Sequence, residues 1–326
     1  MSLRLGVPRP GKREVDLLVI GGGPAGLNAA LYGRRYMLET LVVAESIGGQ
    51  VAVADVIENY LGIHSIRGIE LADRFRRHVE AAGASIVIDR VVGIERDDSG
   101  VFRARTLKGL EVVAKSIVVA IGAKRRRLGV PGESELAGRG ISYCAVCDAP
   151  LYQGSENVVV VGGGNSAMKG ALLLSQYAKR VTLVHRGESF RAQPLLVESV
   201  RKHGNVEFVL GSVVTEIIGD KRVRAVKVKN LKTGEERVIE ADGVFVEIGY
   251  EPDVEFARML GVEIDSEGYI VVNELMETSR PGIFAAGNCT NKWKELRQII
   301  TAAAQGAIAA FSAYNYIKRA FGVERG

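Results

Sequence analysis

The chain has few of the residues on which metal sites and disulfide scaffolds depend. Its 326 residues include three cysteines and four histidines. So small and odd a number of cysteines argues against a secreted disulfide framework and favours a reducing compartment, so we expect a cytoplasmic protein. A zinc site needs four ligands, but Cys144 and Cys147 have no histidine nearby in the sequence and the third cysteine, Cys289, is distant. We therefore expect no metal site.

A large excess of charge of one sign is also absent. Lys and Arg number 43 against 38 Asp and Glu. No basic stretch is interleaved with aromatic residues, and we find no zinc-finger or helix-turn-helix spacing, so we expect no nucleic-acid partner. Residues 299–316 carry no charge, but their many Ala residues with Thr301, Gln305, Ser312 and Asn315 predict a buried, closely packed helix, not a membrane span. The N-terminal stretch lacks the apolar core of a secretory signal.

Glycine is abundant, with 39 residues, and two groups of glycines form similar turns. The first turn, at Gly21, Gly23 and Gly26, lies between an aliphatic run and a helical pattern. This is the G-x-G-x-x-G fingerprint, in which the glycines make the turn, let a pyrophosphate approach and allow close packing. The next strand ends at Glu45, which can accept hydrogen bonds from ribose hydroxyls. The pattern predicts a dinucleotide site formed by Gly21, Gly23, Pro24, Ala25, Gly26 and Glu45.

The second turn repeats the first unit in the middle of the chain. Its second strand ends at His185 and Arg186, with Arg191 shortly after, where the first unit has Glu45. Basic groups in place of the acid are what a 2′-phosphate requires. The first unit therefore suits an unphosphorylated adenosine ribose and the second suits NADP. The candidate residues of the second site are Gly162, Gly164, Asn165, Ser166, Ala167, His185, Arg186 and Arg191.

Polar and small residues elsewhere suit further contacts to a cofactor. Gln50 and Asn59 offer donors and acceptors to a flavin ring or ribityl chain. Ala120 and Gly122 end a buried strand, where small residues allow a cofactor to approach.

A Cys-x-x-Cys motif at Cys144 and Cys147 is followed at once by Asp148. Two sulfurs at this spacing can close a small disulfide ring or bind a metal, and the shortage of other ligands favours redox chemistry. Thiol exchange needs a thiolate and then a proton for the leaving sulfur, and Asp148 is a natural acid or base beside Cys147. The candidate catalytic residues are Cys144, Cys147 and Asp148.

These motifs resemble those of the low-molecular-weight thioredoxin reductases over nearly the whole chain. The matching segments are 21–26, 48–50, 57–60, 143–148, 162–167, 185–186 with Arg191, and 282–287 with Arg297 and Gln298. The resemblance implies an α/β fold with two Rossmann-like, three-layer dinucleotide-binding domains, the NAD(P)H domain being inserted into the FAD domain. We place the FAD domain at 1–126 and 249–326, and the NAD(P)H domain with the redox cysteines at 127–248.

The resemblance also implies a thioredoxin-disulfide reductase. Hydride from NADPH would pass through FAD to a Cys144–Cys147 disulfide and then to thioredoxin or a glutaredoxin-like protein. Cys147 would lie nearer the flavin, Cys144 would attack the target disulfide, and the protein would be a homodimer whose inserted domain swivels between flavin and partner. The residues implied at FAD, beyond the first turn and Glu45, are Gly49, Gln50, Asn59, Ala120, Gly122, Gly287, Asn288, Arg297 and Gln298.

Several positions depart from the family's pattern, and two of them bear on the cofactors. Asn288 stands where an Asp normally holds the ribityl chain, and Gly187 stands in place of a second Arg, which leaves NADH as an alternative donor. Two other functions stay open: an FAD-dependent NAD(P)H oxidase or reductase of the same fold with another acceptor, and a nucleotide-binding protein without turnover. Glu247 interrupts an otherwise apolar strand, and the sequence gives no role for it.

Overall fold

The structure, a computed structural model, describes residues 11–54 and 56–322. The chain forms two compact units. One contains the chain up to Lys124 together with the chain from Glu251 onward, and the other is Arg125–Tyr250. Each boundary of the inserted unit lies two residues outside the 127–248 expected from the sequence.

Helices and strands alternate through both units. The α-helices in the described residues are α1 (Pro24–Arg35), α2 (Gly68–Ala81), α3 (Ala145–Asp148), α4 (Asn165–Leu174), α5 (Pro194–Arg201), α6 (Val254–Leu260) and α7 (Ile299–Phe321). Short 3-10 helices cover Gly49–Val51 and Ala149–Tyr152. The strands are β1 (Gly11–Gly22), β2 (Thr40–Ile47), β3 (Val56–Ile57), β4 (Ile66–Arg67), β5 (Ser85–Ile88), β6 (Val91–Arg96), β7 (Phe102–Thr106), β8 (Leu110–Val119), β9 (Ala123–Arg125), β10 (Ile141–Ser142), β11 (Val158–Val161), β12 (Val181–Val184), β13 (Val206–Val209), β14 (Ser212–Gly219), β15 (Val223–Asn230), β16 (Glu236–Glu240), β17 (Gly243–Val246), β18 (Tyr250–Pro252) and β19 (Ile283–Ala285).

A seven-stranded sheet organises the first unit. Its order is β5-β2-β1-β8-β7-β6, and β19 also pairs with β8. The strands β5, β2, β1, β8 and β19 are parallel, whereas β7 pairs antiparallel with both β8 and β6. Leu17, Leu18 and Val19 of the central strand are fully buried. Their uninterrupted apolar run is what a parallel strand covered on both faces requires.

The helices α1 and α7 pack closely beside this sheet. A Cβ placed on Gly306 of α7 would lie 2.0 Å from the carbonyl oxygen of Ala25, so only glycine fits at this crossing. Asn28 of α1 donates a hydrogen bond to the carbonyl oxygen of Ala303 at 2.7 Å. The uncharged stretch near the C-terminus is therefore a packed helix, as its small residues predict. No helix among the described residues meets the length and apolarity needed for a bilayer span.

The second unit has a five-stranded parallel sheet with the order β10-β17-β11-β12-β13. Side chains of β11 alternate between its two faces: Val158 and Val160 join the core beside α4, whereas Val159 and Val161 face an antiparallel sheet of β14, β15 and β16. Helices, parallel sheet and antiparallel sheet thus form three layers. The predicted α/β class with two Rossmann-like units is confirmed.

Candidate active site

The first glycine turn has the tight geometry that its sequence predicts. Gly21 has φ +120°, and a Cβ there would lie 2.3 Å from the carbonyl oxygen of Ala120. A Cβ on Gly26 would lie 2.0 Å from the carbonyl oxygen of Gly21, which explains why a third glycine is needed. By contrast, no atom lies within 4 Å of a Cβ on Gly23, the N-cap of α1, apart from its chain neighbours. The helix start, with Pro24 at its first position, therefore faces open space.

Residues after β2 return to the same turn. The N–H of Gly48 donates to the carbonyl oxygen of Gly22 at 2.7 Å, and a Cβ on Gly49 would lie 3.5 Å from Gly23. Gln50 donates from Nε2 to the carbonyl oxygen of Ala123 at 2.7 Å, beyond Gly122, which has φ +68°. Glu45 is exposed just past the apolar part of β2, and Nε of Arg90 lies 3.7 Å from its Oε1.

The C-terminal segment completes this cluster. Gly287 has φ +82°, and a Cβ there would lie 2.9 Å from the Cβ of Ala25 in the first turn. Arg297 donates from Nη1 to the carbonyl oxygen of Asn288 at 2.9 Å. Asn59 donates from Nδ2 to Oε1 of Gln298, the N-cap of α7, at 3.1 Å. The structure thus brings together candidate residues from both ends of the chain, which the sequence could only assign to one domain by resemblance.

Gln305 supports this cluster, although no sequence motif predicts this role for it. Its side chain is buried, and its Oε1 accepts hydrogen bonds from the N–H of Gly287 at 2.7 Å and from the hydroxyl of Thr290 at 3.1 Å. A buried amide would be costly if it were unsatisfied. Its polarity within an Ala-rich helix is the signal that could have identified it.

The second glycine turn repeats the geometry of the first. Gly162 has φ +153°, and a Cβ there would lie 2.3 Å from the carbonyl oxygen of Glu247 and 2.8 Å from the Cβ of Ala167. Gly164 is the N-cap of α4, and beyond its chain neighbours no atom lies within 4 Å of its Cβ position. Asn165, followed by Ser166, begins α4, and its Oδ1 accepts a hydrogen bond from the N–H of Gln193 at 2.9 Å.

The basic residues after β12 lie beside this turn. The buried ring of His185 stacks on Phe190 and packs so closely under Gly163 that a Cβ there would lie 2.1 Å from its Cε1. Burial lowers the pKa of His185, which favours the neutral ring. The N–H of Arg191 donates to the carbonyl oxygen of Gly163 at 2.9 Å. Arg186 and Arg191 are exposed, and neither forms an ion pair with any residue that the structure describes.

Cys144 and Cys147 form a disulfide at the start of α3, with their Cα atoms 5.3 Å apart. Cys144 is the N-cap of α3, and its Sγ accepts a hydrogen bond from the N–H of Cys147 at 3.2 Å. Cys147 is exposed and Cys144 is partly buried, while Val146 between them is 55% exposed. The disulfide is therefore exposed at the residue Cys147.

Hydrogen bonds of Ser142 connect Asp148 with Cys144. The Ser142 hydroxyl donates to Oδ2 of Asp148 at 2.5 Å and accepts a hydrogen bond from the N–H of Cys144 at 3.0 Å. Ser142 is buried at the end of β10. The sequence motif predicts a role for Asp148 but not for this serine, because a Ser two residues before a cysteine has no distinctive pattern.

The residue before the disulfide is fixed by a second carboxylate. Tyr143 donates from its hydroxyl to Oε1 of buried Glu133 at 2.9 Å, and burial raises the pKa of Tyr143 to about 12. Glu133 also accepts hydrogen bonds from the N–H groups of Leu128 at 3.0 Å and Gly129 at 2.7 Å. Its charge is therefore satisfied by three donors.

The third cysteine is not part of this site. Cys289 is buried within the core of the first unit, and burial raises its pKa to about 11, so it stays a thiol at neutral pH. Across residues 11–54 and 56–322 no cluster of three or more His, Cys, Asp or Glu could hold a metal ion.

The chain is similar to known proteins over most of its length. The model of a family described as pyridine nucleotide-disulphide oxidoreductase matches residues 15–306. The thioredoxin reductase of Listeria innocua is 41% identical to this chain, and the match covers 93% of this chain and 94% of the Listeria protein. The thioredoxin reductase of Treponema pallidum is 40% identical, and the match covers 93% of this chain and 97% of the Treponema protein.

The fold is also similar to that of a solved thioredoxin reductase structure. The thioredoxin reductase of Streptococcus pyogenes superposes with a TM-score of 0.87 at 39% identity, covering 95% of this chain and 100% of that one. The glycine turns, the disulfide and the likeness along the chain thus lead to one assignment. The chain belongs to the pyridine nucleotide-disulphide oxidoreductase family and, within it, to the thioredoxin reductases.

Proposed function

We propose that the protein transfers hydride equivalents from NADPH through FAD to its Cys144–Cys147 disulfide and then reduces the disulfide of a thioredoxin-like protein. Membership of the family implies a flavin, a pyridine nucleotide and thioredoxin as substrate. The observation that carries the proposal is the disulfide itself, which joins a partly buried and an exposed cysteine and is followed directly by Asp148.

The residues of the first unit fit FAD. The open space at Gly23 suits a pyrophosphate at the start of α1, where the N–H groups and the helix dipole favour an anion. Exposed Glu45 is available to ribose hydroxyls. The flavin would be held by the other residues of the cluster, Gly49, Gln50, Asn59, Ala120, Gly122, Gly287, Asn288, Arg297 and Gln298. At Asn288 an amide oxygen can accept the hydrogen bond that an Asp would accept.

The residues of the second unit fit NADPH. Gly164 offers the same open helix start, and Arg186 and Arg191 are two exposed cations without an acidic partner among the described residues. Guanidinium groups bind phosphate in forked geometry, so these two arginines would hold the 2′-phosphate. The neutral ring of His185 fills the space under the turn and fixes the end of β12.

The cysteines carry out the exchange with the partner. When bound, the flavin supplies the electron pair that opens the Cys144–Cys147 disulfide. Cys144, as a thiolate, then attacks one sulfur of the partner's disulfide, and the other partner sulfur leaves with the electron pair. Cys147 attacks the mixed disulfide, restores the bond to Cys144 and releases the second partner sulfur. Asp148 takes the thiol proton and returns it to the leaving sulfur, and Ser142 holds Asp148 in place.

An anaerobic titration tests the electron donor and the flavin together. The purified protein is titrated with NADPH and, separately, with NADH while the flavin absorbance is followed. We expect a yellow protein that NADPH bleaches at lower concentration than NADH. A colourless protein would favour a nucleotide-binding protein without turnover, and bleaching by NADH alone would refute the phosphate role of Arg186 and Arg191.

The acceptor is tested with one substitution. Cys144→Ser is expected to abolish reduction of a protein disulfide and to leave the slow consumption of oxygen by the reduced flavin unchanged. An unchanged rate of disulfide reduction would indicate an acceptor other than a thiol partner. The homodimer and the cytoplasmic location stay predictions of the sequence.

A further inference from the structure

Glu247 links the end of the parallel sheet to the redox helix. Its backbone N–H continues the pairing of β17, donating to the carbonyl oxygen of Val161 at 2.8 Å. Its side-chain Oε1 accepts a hydrogen bond from the N–H of Ala145 at 3.0 Å. That amide follows Cys144 directly and begins α3. The carboxyl therefore holds the backbone between the two cysteines.

Two glycines create the space for this contact. A Cβ on Gly162 would lie 2.3 Å from the carbonyl oxygen of Glu247. A Cβ on Gly170, inside α4, would lie 3.1 Å from the Cβ of Ala145 and 3.7 Å from Cγ of Glu247. Glycine inside a helix is destabilising relative to alanine, so its presence here indicates a need for close approach. Both α3 and the Glu247 side chain pack against this point of α4.

The charge of Glu247 is sensitive to its surroundings. Burial raises its pKa to about 7, while the Ala145 N–H and the positive charge of Arg125 act in the opposite direction. The neighbouring helices carry Asp148 on α3 and Lys169 on α4, whereas β11 and the glycine turn carry no charged residue. The carboxyl can therefore change its ionisation in the pH range in which thiol exchange occurs.

We propose that Glu247 is a positioning residue for the redox disulfide, holding Cys144 and Cys147 through the Ala145 amide and opposing, by its negative charge, the thiolate that forms when the disulfide opens. Two electrons from a reductant break the S–S bond, and one proton is taken up to leave one thiol and one thiolate. An ionised carboxylate beside this helix disfavours the thiolate and raises the pKa of the thiol. The inference deepens the proposed function and rests on it.

The test measures the thiols directly and needs neither NADPH nor thioredoxin, so its failure is distinct from a failure of the proposed function. In a Cys147→Ser background, the reduced protein is alkylated with iodoacetamide between pH 5 and pH 9, and the rate at Cys144 is followed by mass spectrometry. Glu247→Gln keeps an oxygen acceptor for Ala145 and removes the charge. We expect about threefold to tenfold faster alkylation at pH 7, corresponding to a thiol pKa lowered by about half a unit to one unit.

Two further variants complete the test. Glu240→Gln removes an exposed carboxylate of β16 and is expected to leave the alkylation profile unchanged. In the full enzyme with both cysteines, Glu247→Ala is expected to lower turnover at least fivefold, and Glu247→Gln is expected to recover most of it. A Glu247→Gln profile that superimposes on its parent would overturn the charge effect, and full turnover in Glu247→Ala would overturn the positioning role.

Discussion

The hydroxyl of Ser142 donates a hydrogen bond of 2.5 Å to Oδ2 of Asp148. The hydroxyl oxygen of Ser142 also accepts a hydrogen bond from the N–H of Cys144 at 3.0 Å. One buried side chain therefore fixes both the carboxylate proposed to move protons and the backbone of the cysteine proposed to attack the partner. Neither Asp148 nor Cys144 can shift without disturbing the other.

Ser142→Ala is expected to slow disulfide reduction by about tenfold to a hundredfold, because Asp148 loses a donor and the Cys144 amide loses its acceptor. The effect should lie in kcat for the protein disulfide, while bleaching of the flavin by NADPH stays near its normal rate. Ser199→Ala, which removes a hydroxyl bonded to a helix carbonyl in α5, is the matched control and should be neutral. Normal turnover in Ser142→Ala would refute this coupling.

The sequence was sufficient for the parts of the fold that depend on local patterns. The turns at Gly21 and Gly162 need glycine because a Cβ would collide with a neighbouring carbonyl, so their spacing predicts their position. The aliphatic run before the first turn and the helical pattern after it correspond to β1 and α1. The small residues of α7 likewise predicted a buried helix, because close helix packing requires small side chains.

Contacts between residues far apart in the chain could not be predicted from the sequence. Glu247 meets Ala145 only because β17 lies between β10 and β11 in the sheet, an order that no local pattern specifies. Gln305 meets Gly287 only after α7 folds back along α1. In both cases the sequence shows an out-of-place polar residue, but its partner is set by the topology.

Arg186→Ala and Arg191→Ala are each expected to raise KM for NADPH about tenfold and to leave KM for NADH unchanged, because each removes one contact to a 2′-phosphate. Arg201→Ala, which removes an exposed arginine at the end of α5, is the control and should change neither constant. Steady-state kinetics with both nucleotides measures the outcome. An equal rise in KM for NADPH and NADH would show that the arginines do not bind the 2′-phosphate.

Gly306→Ala is expected to destabilise the first unit by about 2 kcal/mol or more and to lower its flavin content, because the new Cβ would lie 2.0 Å from the carbonyl oxygen of Ala25. Gly204→Ala is the matched control, since nothing lies within 4 Å of its Cβ and its φ is not positive. That change should stay within about 0.5 kcal/mol. Urea unfolding followed by circular dichroism, which reports both units, compares them, and equal midpoints would contradict the packing of α1 on α7.

Glu247 is expected to make stability depend on pH. Its pKa is raised from 4.5 to about 7 in the folded protein, so folding favours the protonated carboxyl. The stabilisation is present in full below about pH 4.5 and is lost as the pH rises through 7. Relative to Glu247→Gln, the wild-type protein should lose about 1 to 3 kcal/mol in free energy of unfolding between pH 5 and pH 8. Urea midpoints that change equally with pH in the two proteins would contradict the raised pKa of Glu247.

The central claim is that electrons from NADPH leave the protein through Cys144 and Cys147. The most direct measurement counts the thiols that appear in oxidised thioredoxin while NADPH oxidation is followed, without oxygen. We predict one thioredoxin disulfide opened for each NADPH consumed, and none with Cys144→Ser or Cys147→Ser. Consumption of NADPH with no thiols formed, or thiols formed at the normal rate by either variant, would contradict the account.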